Sequence, residues 1–440
     1  MNPQELADRI RQACDVEGFS RCGITPAVTS AGFDSLAQWI EAGYAGEMHY
    51  IADRLEAYRH PSGVLPGARS LIALTYPYPY VTPRESTSAT TPIGQDDSGS
   101  AEPLRPAVAR YTLGGSDYHD VIHPKLKRVC RQIRQWQPEA RCRGVVDTAP
   151  LMEREIAQRA GLGWRGKNTL LLNKSDGSYF FLACLLIDVE LPADAPHEHG
   201  HCGTCTACLD ACPTDAFPQP GVLDATKCIS YWTIESQELA PWSLRPSIGE
   251  WVFGCDVCQE VCPWNRKPVR TRQQRVCRSS DSTEMVAPTT QPLGKRVGHP
   301  EQSHDCDVKV EEQVNAPHAD VPFEFRASHR VTIEEAIEWM QMGEDEFRVL
   351  FRSTPMWRAR RRGWLRNVAI VLGNAGDDRA VDCLVAALRD SEPLVRASSV
   401  WALSQLLATD ERRLQSLCGE RRAVENDPVV LAEYARALDR

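Results

Sequence analysis

Apolar residues recur at helical spacing from Gln4 to Val16 and from Ser35 to Ala42, so each segment predicts a helix with one buried face. The pattern then changes. Arg69 to Tyr76, Ala140 to Asp147 and Ser178 to Glu190 carry apolar runs bounded by turn formers, which predict strands. Residues 1–196 therefore read as a mixed α/β domain. Within it, 81–106 is rich in Ser, Thr, Pro and Gly, has little to bury, and is expected to be a flexible insertion. Residues 268–330 are polar, proline-containing and aperiodic, and are expected to be a disordered linker. From 331 to 440 the chain is helical again. Glu392 to Ala397 with Trp401 to Leu403 is repeated, at a spacing of 35, by Asp427 to Ala432 with Arg436 to Leu438. In each copy an acid and a proline open the helix, where the missing N–H costs nothing. That period suits HEAT-like hairpins, with an ordinary helical bundle as the alternative, and Gly373 to Gly376 is expected to break the chain between two helices.

Composition narrows the class. A chain of 440 residues holds two to four domains. Met1 to Phe19 is polar and helix-patterned, so no export leader is expected, and Tyr179 to Ile187 is far shorter than the roughly 20 residues of a membrane helix. A net charge of −9 argues against nucleic acid on average. Locally the balance reverses: Arg348, Arg352, Arg358, Arg360, Arg361, Arg362 and Arg366 occur with no acid among them.

The cysteines carry the chemistry. Cys202, Cys205, Cys208 and Cys212 follow C-x2-C-x2-C-x3-C with Pro213 next; Cys228 comes after, then Cys255, Cys258 and Cys262 before Pro263. This spacing wraps two [4Fe–4S] cubanes, the fourth cysteine of each run serving the other cluster. One cluster is accordingly assigned to Cys202, Cys205, Cys208 and Cys262, the second to Cys212, Cys228, Cys255 and Cys258. Zinc sites use one or two C-x2-C pairs and fit less well. Residues 197–267 thus form a ferredoxin-like two-cluster domain. The other nine cysteines (14, 22, 130, 142, 184, 277, 306, 383 and 418) lack framework spacing and read as reduced thiols of a cytoplasmic protein.

Clusters move electrons, and something must receive them. Asp147 ends a predicted strand, a common ligand position in α/β sheets, and precedes Glu153-Arg154-Glu155 and Gly161 to Asn168. Gly161, Gly163 and Gly166 would let backbone approach a large ligand. Reductive cleavage of a C–O bond needs a proton, so Asp147 is a candidate acid, its bland alternative being a turn cap.

Together, the two cysteine runs, Cys228 to Glu235, Gly254 to Asn265, Leu65 to Ser70, Asp117-Tyr118-His119 and Arg362 to Asn374 resemble the epoxyqueuosine reductase family over nearly the whole chain except the two inserts. The resemblance implies an α+β architecture: a mixed α/β cobalamin-binding domain related to reductive dehalogenases, the two-cluster domain, and a C-terminal all-α HEAT-like tail. It implies an oxidoreductase that converts epoxyqueuosine in the tRNA anticodon loop to queuosine. Asp147 would be the proton donor beside cobalamin and Ser230 would touch the corrin. Trp164, Lys167 and Asn168 would line the cofactor or substrate pocket, and His119 is not expected to ligate cobalt. Arg358, Arg361 and Arg362 would meet tRNA phosphates. Flavodoxin or ferredoxin would feed electrons to a monomer. A reductive dehalogenase-like enzyme and an electron-transfer iron–sulfur subunit remain the alternatives.

Overall fold

The structure is a computed structural model and describes residues 1–78, 104–266 and 330–439. The insertion expected at 81–106 lies outside the described residues up to 103, and the linker expected at 268–330 lies outside them up to 329.

Helix α1 (Pro3–Val16) starts at Asn2, whose side chain accepts from the Glu5 N–H, with proline in the first turn. Strand β1 (Arg21–Pro26) and helix α2 (Phe33–Glu41) follow, then β2 (Ser70–Pro77) and the short β3 (Ala107–Val108). Helix α3 (Tyr118–Trp136) leads into β4 (Cys142–Val145), helix α4 (Glu153–Arg159), the hairpin β5 (Trp164–Arg165) and β6 (Leu171–Leu172), and β7 (Phe180–Ile187). The two helices and three strands predicted here are present, with ends shifted by a few residues.

Four strands form a sheet in the order β1-β2-β7-β4, each neighbouring pair antiparallel. Its apolar strands have no polar face because both faces are covered. Ile24, Ile72, Leu74, Ala183, Leu185 and Ile187 point toward α1 and α3. The alternate residues Leu71, Ala73, Cys184 and Leu186 pack with Ile156 and Ala157 of α4. A one-residue slip would exchange these sets, so register is tightly specified.

In the cysteine-rich segment, short helices α5 (Ala207–Asp210) and α6 (Val257–Glu260) lie within the two cysteine runs, and β8 (Trp251–Phe253) pairs in parallel with β3. The ladder continues on both sides. Ala107 N donates to Glu250 O at 2.7 Å and Val331 N donates to Pro106 O at 2.8 Å, while Arg330 bridges Ala107. The expected insertion therefore ends earlier than 106: Leu104 already packs on the core, and Arg330 is no longer linker.

The tail comprises α7 (Ile333–Trp339), α8 (Glu344–Phe351), α9 (Arg360–Ala375), α10 (Val381–Ala387), α11 (Pro393–Leu406), α12 (Glu411–Val424) and α13 (Pro428–Leu438). Pro393 and Pro428 open α11 and α13 as the repeat predicts, and Asp427 accepts from Val429 and Val430 N–H. The break expected over Gly373 to Gly376 falls at its last residue. Gly373 and Asn374 are helical, and Gly376, at φ 68°, ends α9 in the left-handed region. One apolar core joins the tail to the cluster segment, with Ile229, Val252 and Phe253 packed among Trp364, Val371 and Trp401. Among the described residues no helix is long and apolar enough to cross a membrane.

Candidate active site and cluster cavities

Cys202, Cys205, Cys208 and Cys262 line one cavity of about 220 Å³, together with Lys167, Asn168, Leu172, His201, Pro263 and Trp264. Among the described residues, no three His, Cys, Asp or Glu groups converge as a site for a single metal ion. These four thiols ring a space instead of meeting at a point, which suits a polynuclear cluster. Burial, then the neighbouring Cys262 and Cys202, push the Cys208 thiol up to about 11. Cys228, Cys255 and Cys258 are also pushed up, first by burial; Cys228 and Cys212 raise Cys258 further, Cys258 and Cys228 raise Cys255, and Cys212 raises Cys228. Crowded thiols of this kind become thiolates when positive charge arrives, so the donor set fits iron–sulfur ligation.

The 164–168 block serves this cavity. Lys167 Nζ donates to Gly203 O at 2.8 Å and Cys205 O at 2.9 Å, tying down the first cysteine loop. Asn168 Nδ2 donates to Cys258 O at 3.1 Å, reaching the other run. Trp164 is buried, stacks with His197 at 5.5 Å and packs with Cys262 and Trp264. The neighbouring glycines do not make room for a ligand. A Cβ on Gly163 would meet Leu172 O at 2.0 Å, and one on Gly161 would meet Ala195 O at 2.6 Å, so the chain itself fills that space. Ser230 stands two residues from Cys228, where its amide and hydroxyl oppose the upward push of burial on that thiol.

Asp147 stands two residues beyond β4 in a strained backbone conformation, φ 39°. Its oxygens are held from the start of α3. The Tyr118 hydroxyl donates to Oδ2, and His119 Nε2 lies 2.7 Å from Oδ1. Glu153 Oε1 accepts from the Asp147 N–H at 2.9 Å. The Asp147 side chain nevertheless remains 42% exposed. Asp117 caps α3, accepting from the His119 N–H at 3.0 Å, and its Oδ1 lies 2.7 Å from His119 Nδ1. Burial pulls the imidazole down, but the Asp117 and Asp147 carboxylates outweigh it and hold His119 up at about 9. Burial, then the Asp147 charge, pushes Glu153 up to about 8. Both nitrogens of His119 thus face carboxylates.

Sequence reading missed two partners of Asp147, Tyr118 and Glu153.

The arginine run is not one exposed face. Arg358, in the turn Pro355–Ala359, points inward and donates to Tyr118 Oη at 3.0 Å. Arg361 is paired with Asp390, Nη2 to Oδ2 at 2.5 Å. Arg366 is buried and donates to the Trp232, Ser236 and Glu238 carbonyls. Of the three arginines expected to meet phosphates, Arg362 is the exposed one, resting on Gln237 at 2.9 Å.

A family model described as 4Fe-4S double cluster binding domain matches residues 201–265, and one described as HEAT repeats matches 364–439. A third, Epoxyqueuosine reductase QueG, DUF1730, matches 59–148. The chain is 36% identical over 403 residues to the epoxyqueuosine reductase of Pseudomonas aeruginosa, covering 91% of this chain and 95% of that one. It is 32% identical over 409 residues to the epoxyqueuosine reductase of Escherichia coli, covering 93% and 91%. Its fold matches a crystal structure of epoxyqueuosine reductase with a tRNA-Tyr epoxyqueuosine-modified tRNA stem loop, with TM-score 0.74 and 25% identity over 100% of this chain and 99% of that chain.

Proposed function

Because the chain belongs to the epoxyqueuosine reductase family of oxidoreductases, we propose that it reduces epoxyqueuosine in the anticodon loop of tRNA to queuosine. The observation that carries the reading is the Asp147 carboxyl, gripped at both oxygens yet 42% exposed. That is how a proton donor must be held: oriented by its neighbours and open to a substrate.

Removing the epoxide oxygen as water, with an alkene left behind, takes two electrons and two protons. When bound, two [4Fe–4S] clusters and cobalamin supply the electrons and the low-potential metal chemistry at the strained ring. The clusters would be held by Cys202, Cys205, Cys208 and Cys262, and by Cys212, Cys228, Cys255 and Cys258; Ser230 and the Asp147 loop would border the corrin. Lys167 and Asn168 hold the two cysteine runs in register through their backbone carbonyls. Asp147 delivers a proton to the departing oxygen, and His119, protonated below about pH 9, is the adjacent source that reloads it. Arg362, with the neighbouring exposed Arg360, offers the tail's tRNA phosphate contact. The external donor is a flavodoxin or ferredoxin, and the enzyme acts as a cytoplasmic monomer.

The test is anaerobic incubation of the reconstituted protein with epoxyqueuosine-containing tRNA, cobalamin and a low-potential reductant, followed by mass analysis of the nucleosides. Queuosine is expected from the native chain. From Asp147→Asn at least about 10²-fold less is expected, the usual scale of general-acid loss, with iron content unchanged. Undiminished turnover by Asp147→Asn would remove the residue from the chemistry.

A further inference from the structure

The tail reaches the Asp147 site through the turn before α9. Ser353 O accepts from the Asp117 N–H at 2.7 Å, at the cap of α3. Five residues on, the Arg358 guanidinium donates to Tyr118 Oη at 3.0 Å and lies 5.4 Å from the centre of that ring. Tyr118 is wedged in place, stacked on Phe181 at 4.4 Å and on His119 at 4.2 Å.

The direction of these hydrogen bonds follows from what each group can do. A guanidinium has donors only, so Tyr118 Oη must accept from Arg358. The phenol has a single hydrogen, and its other neighbour is Asp147 Oδ2, so that hydrogen points at Oδ2. Oδ2 is then always an acceptor. The other oxygen, Oδ1, faces His119 Nε2 at 2.7 Å, and the far nitrogen of that ring faces the Asp117 carboxylate at 2.7 Å.

We propose that Arg358 is a positioning residue for the Asp147 carboxyl: its one-way donation makes Tyr118 a fixed donor to Oδ2 and leaves Oδ1, beside His119, as the oxygen that takes up and holds the proton. This rests on the reading of Asp147 as proton donor and adds a role to a residue of the tail. When Asp147 has given its proton to the substrate oxygen, the His119 Nε2–H proton moves to Oδ1. The neutral imidazole that remains accepts the Oδ1 hydrogen at Nε2 and is reprotonated from water only once Oδ1 has again given its proton up, so no electrons or other reactants are involved. The competing role for Arg358, a phosphate contact, predicts a different observable.

The experiment uses full-length protein with clusters and cobalamin and an epoxyqueuosine-bearing stem-loop. Turnover and stem-loop affinity are measured across salt concentrations for Arg358→Ala and Arg358→Lys. Positioning predicts a loss in kcat of about 10²-fold for Arg358→Ala, the scale of a misplaced catalytic group, with affinity and its salt slope unchanged. It also predicts partial recovery in Arg358→Lys and on adding guanidinium ion to Arg358→Ala. Weaker, less salt-dependent binding with kcat retained would make Arg358 a phosphate contact and overturn the proposal. So would a kcat loss that neither guanidinium nor lysine relieves, which marks a merely structural role. Asp147→Asn is run alongside. If it is inactive while Arg358→Ala is fully active, the inference fails and the reading of Asp147 stands; if it is active, both fall.

Discussion

His119 shows how far a single side chain can depart from its ordinary behaviour. Its folded value, about 9 against an ordinary 6.5, means that the folded chain binds the proton more tightly than the unfolded one. The stability this contributes is complete below about pH 6.5 and is lost as pH rises through about 9. Glu153, raised to about 8, has the same sign, its cost growing above the ordinary 4.5 until about pH 8. His119→Gln should therefore flatten the fall in denaturation midpoint between pH 6.5 and 9 relative to the native chain. Parallel declines in the two proteins would show that the imidazole is not held this way. Asp147 stood out in the sequence because it ends a predicted strand beside a glycine-rich block. Tyr118 did not, since nothing in residues 117–119 reveals that a hydroxyl 29 positions away from Asp147 will close on it. The Arg358 contact was hidden for a related reason: its neutral partner lies 240 residues earlier.

At the level of elements, periodicity served well where one face is buried and poorly where glycine has two uses. The strands around 70, 142 and 180 were readable because apolar residues fill both sides of a covered sheet. Of the block read as a breaker, Gly376 ends the helix, while a Cβ on Gly373 would come within 2.8 Å of Ala402 Cα and 2.9 Å of Trp401, so that glycine lets α9 and α11 touch. Gly373→Val should cost ~1–3 kcal/mol, the range for overpacking a core, measured by denaturant unfolding; an unchanged midpoint would mean the helices part freely. The cysteine runs were readable as ligands from spacing alone. Cys262→Ala should deplete the cluster held with Cys202, Cys205 and Cys208 and leave the other, so iron should fall from about eight to about four atoms per chain by the two-cubane count. Electron paramagnetic resonance of the reduced protein distinguishes which signal is lost, and loss of the Cys212 partner's signal instead would refute the pairing.

Across the whole molecule, the three sequence segments are less separate than composition suggests. The tail, read as HEAT-like hairpins, is tied to the cluster segment: Asn367 donates to Thr233 O and Val252 O, and Asn374 to Arg245 O and Gly249 O. Backbone carbonyls as partners leave no trace in a sequence, which is why this seam could not be foreseen. Its strongest link is Arg245 with Glu433, 2.6 Å apart and almost wholly buried. Glu433→Ala strands a buried guanidinium and should cost ~3–5 kcal/mol, whereas replacing both partners by apolar residues should recover much of that. Equal stability of the single and double variants would mean that the pair carries no such charge penalty. The β3–β8 ladder has a further consequence. Residues 106–107 and 330–331 occupy neighbouring rungs, Pro106 against Val331 and Ala107 against Arg330, and so share one rail. A pull on either Pro106 or Arg330 would therefore be felt along the strand that runs directly into Gly254 and Cys255, so mechanical load on this rail should reach the thiols first.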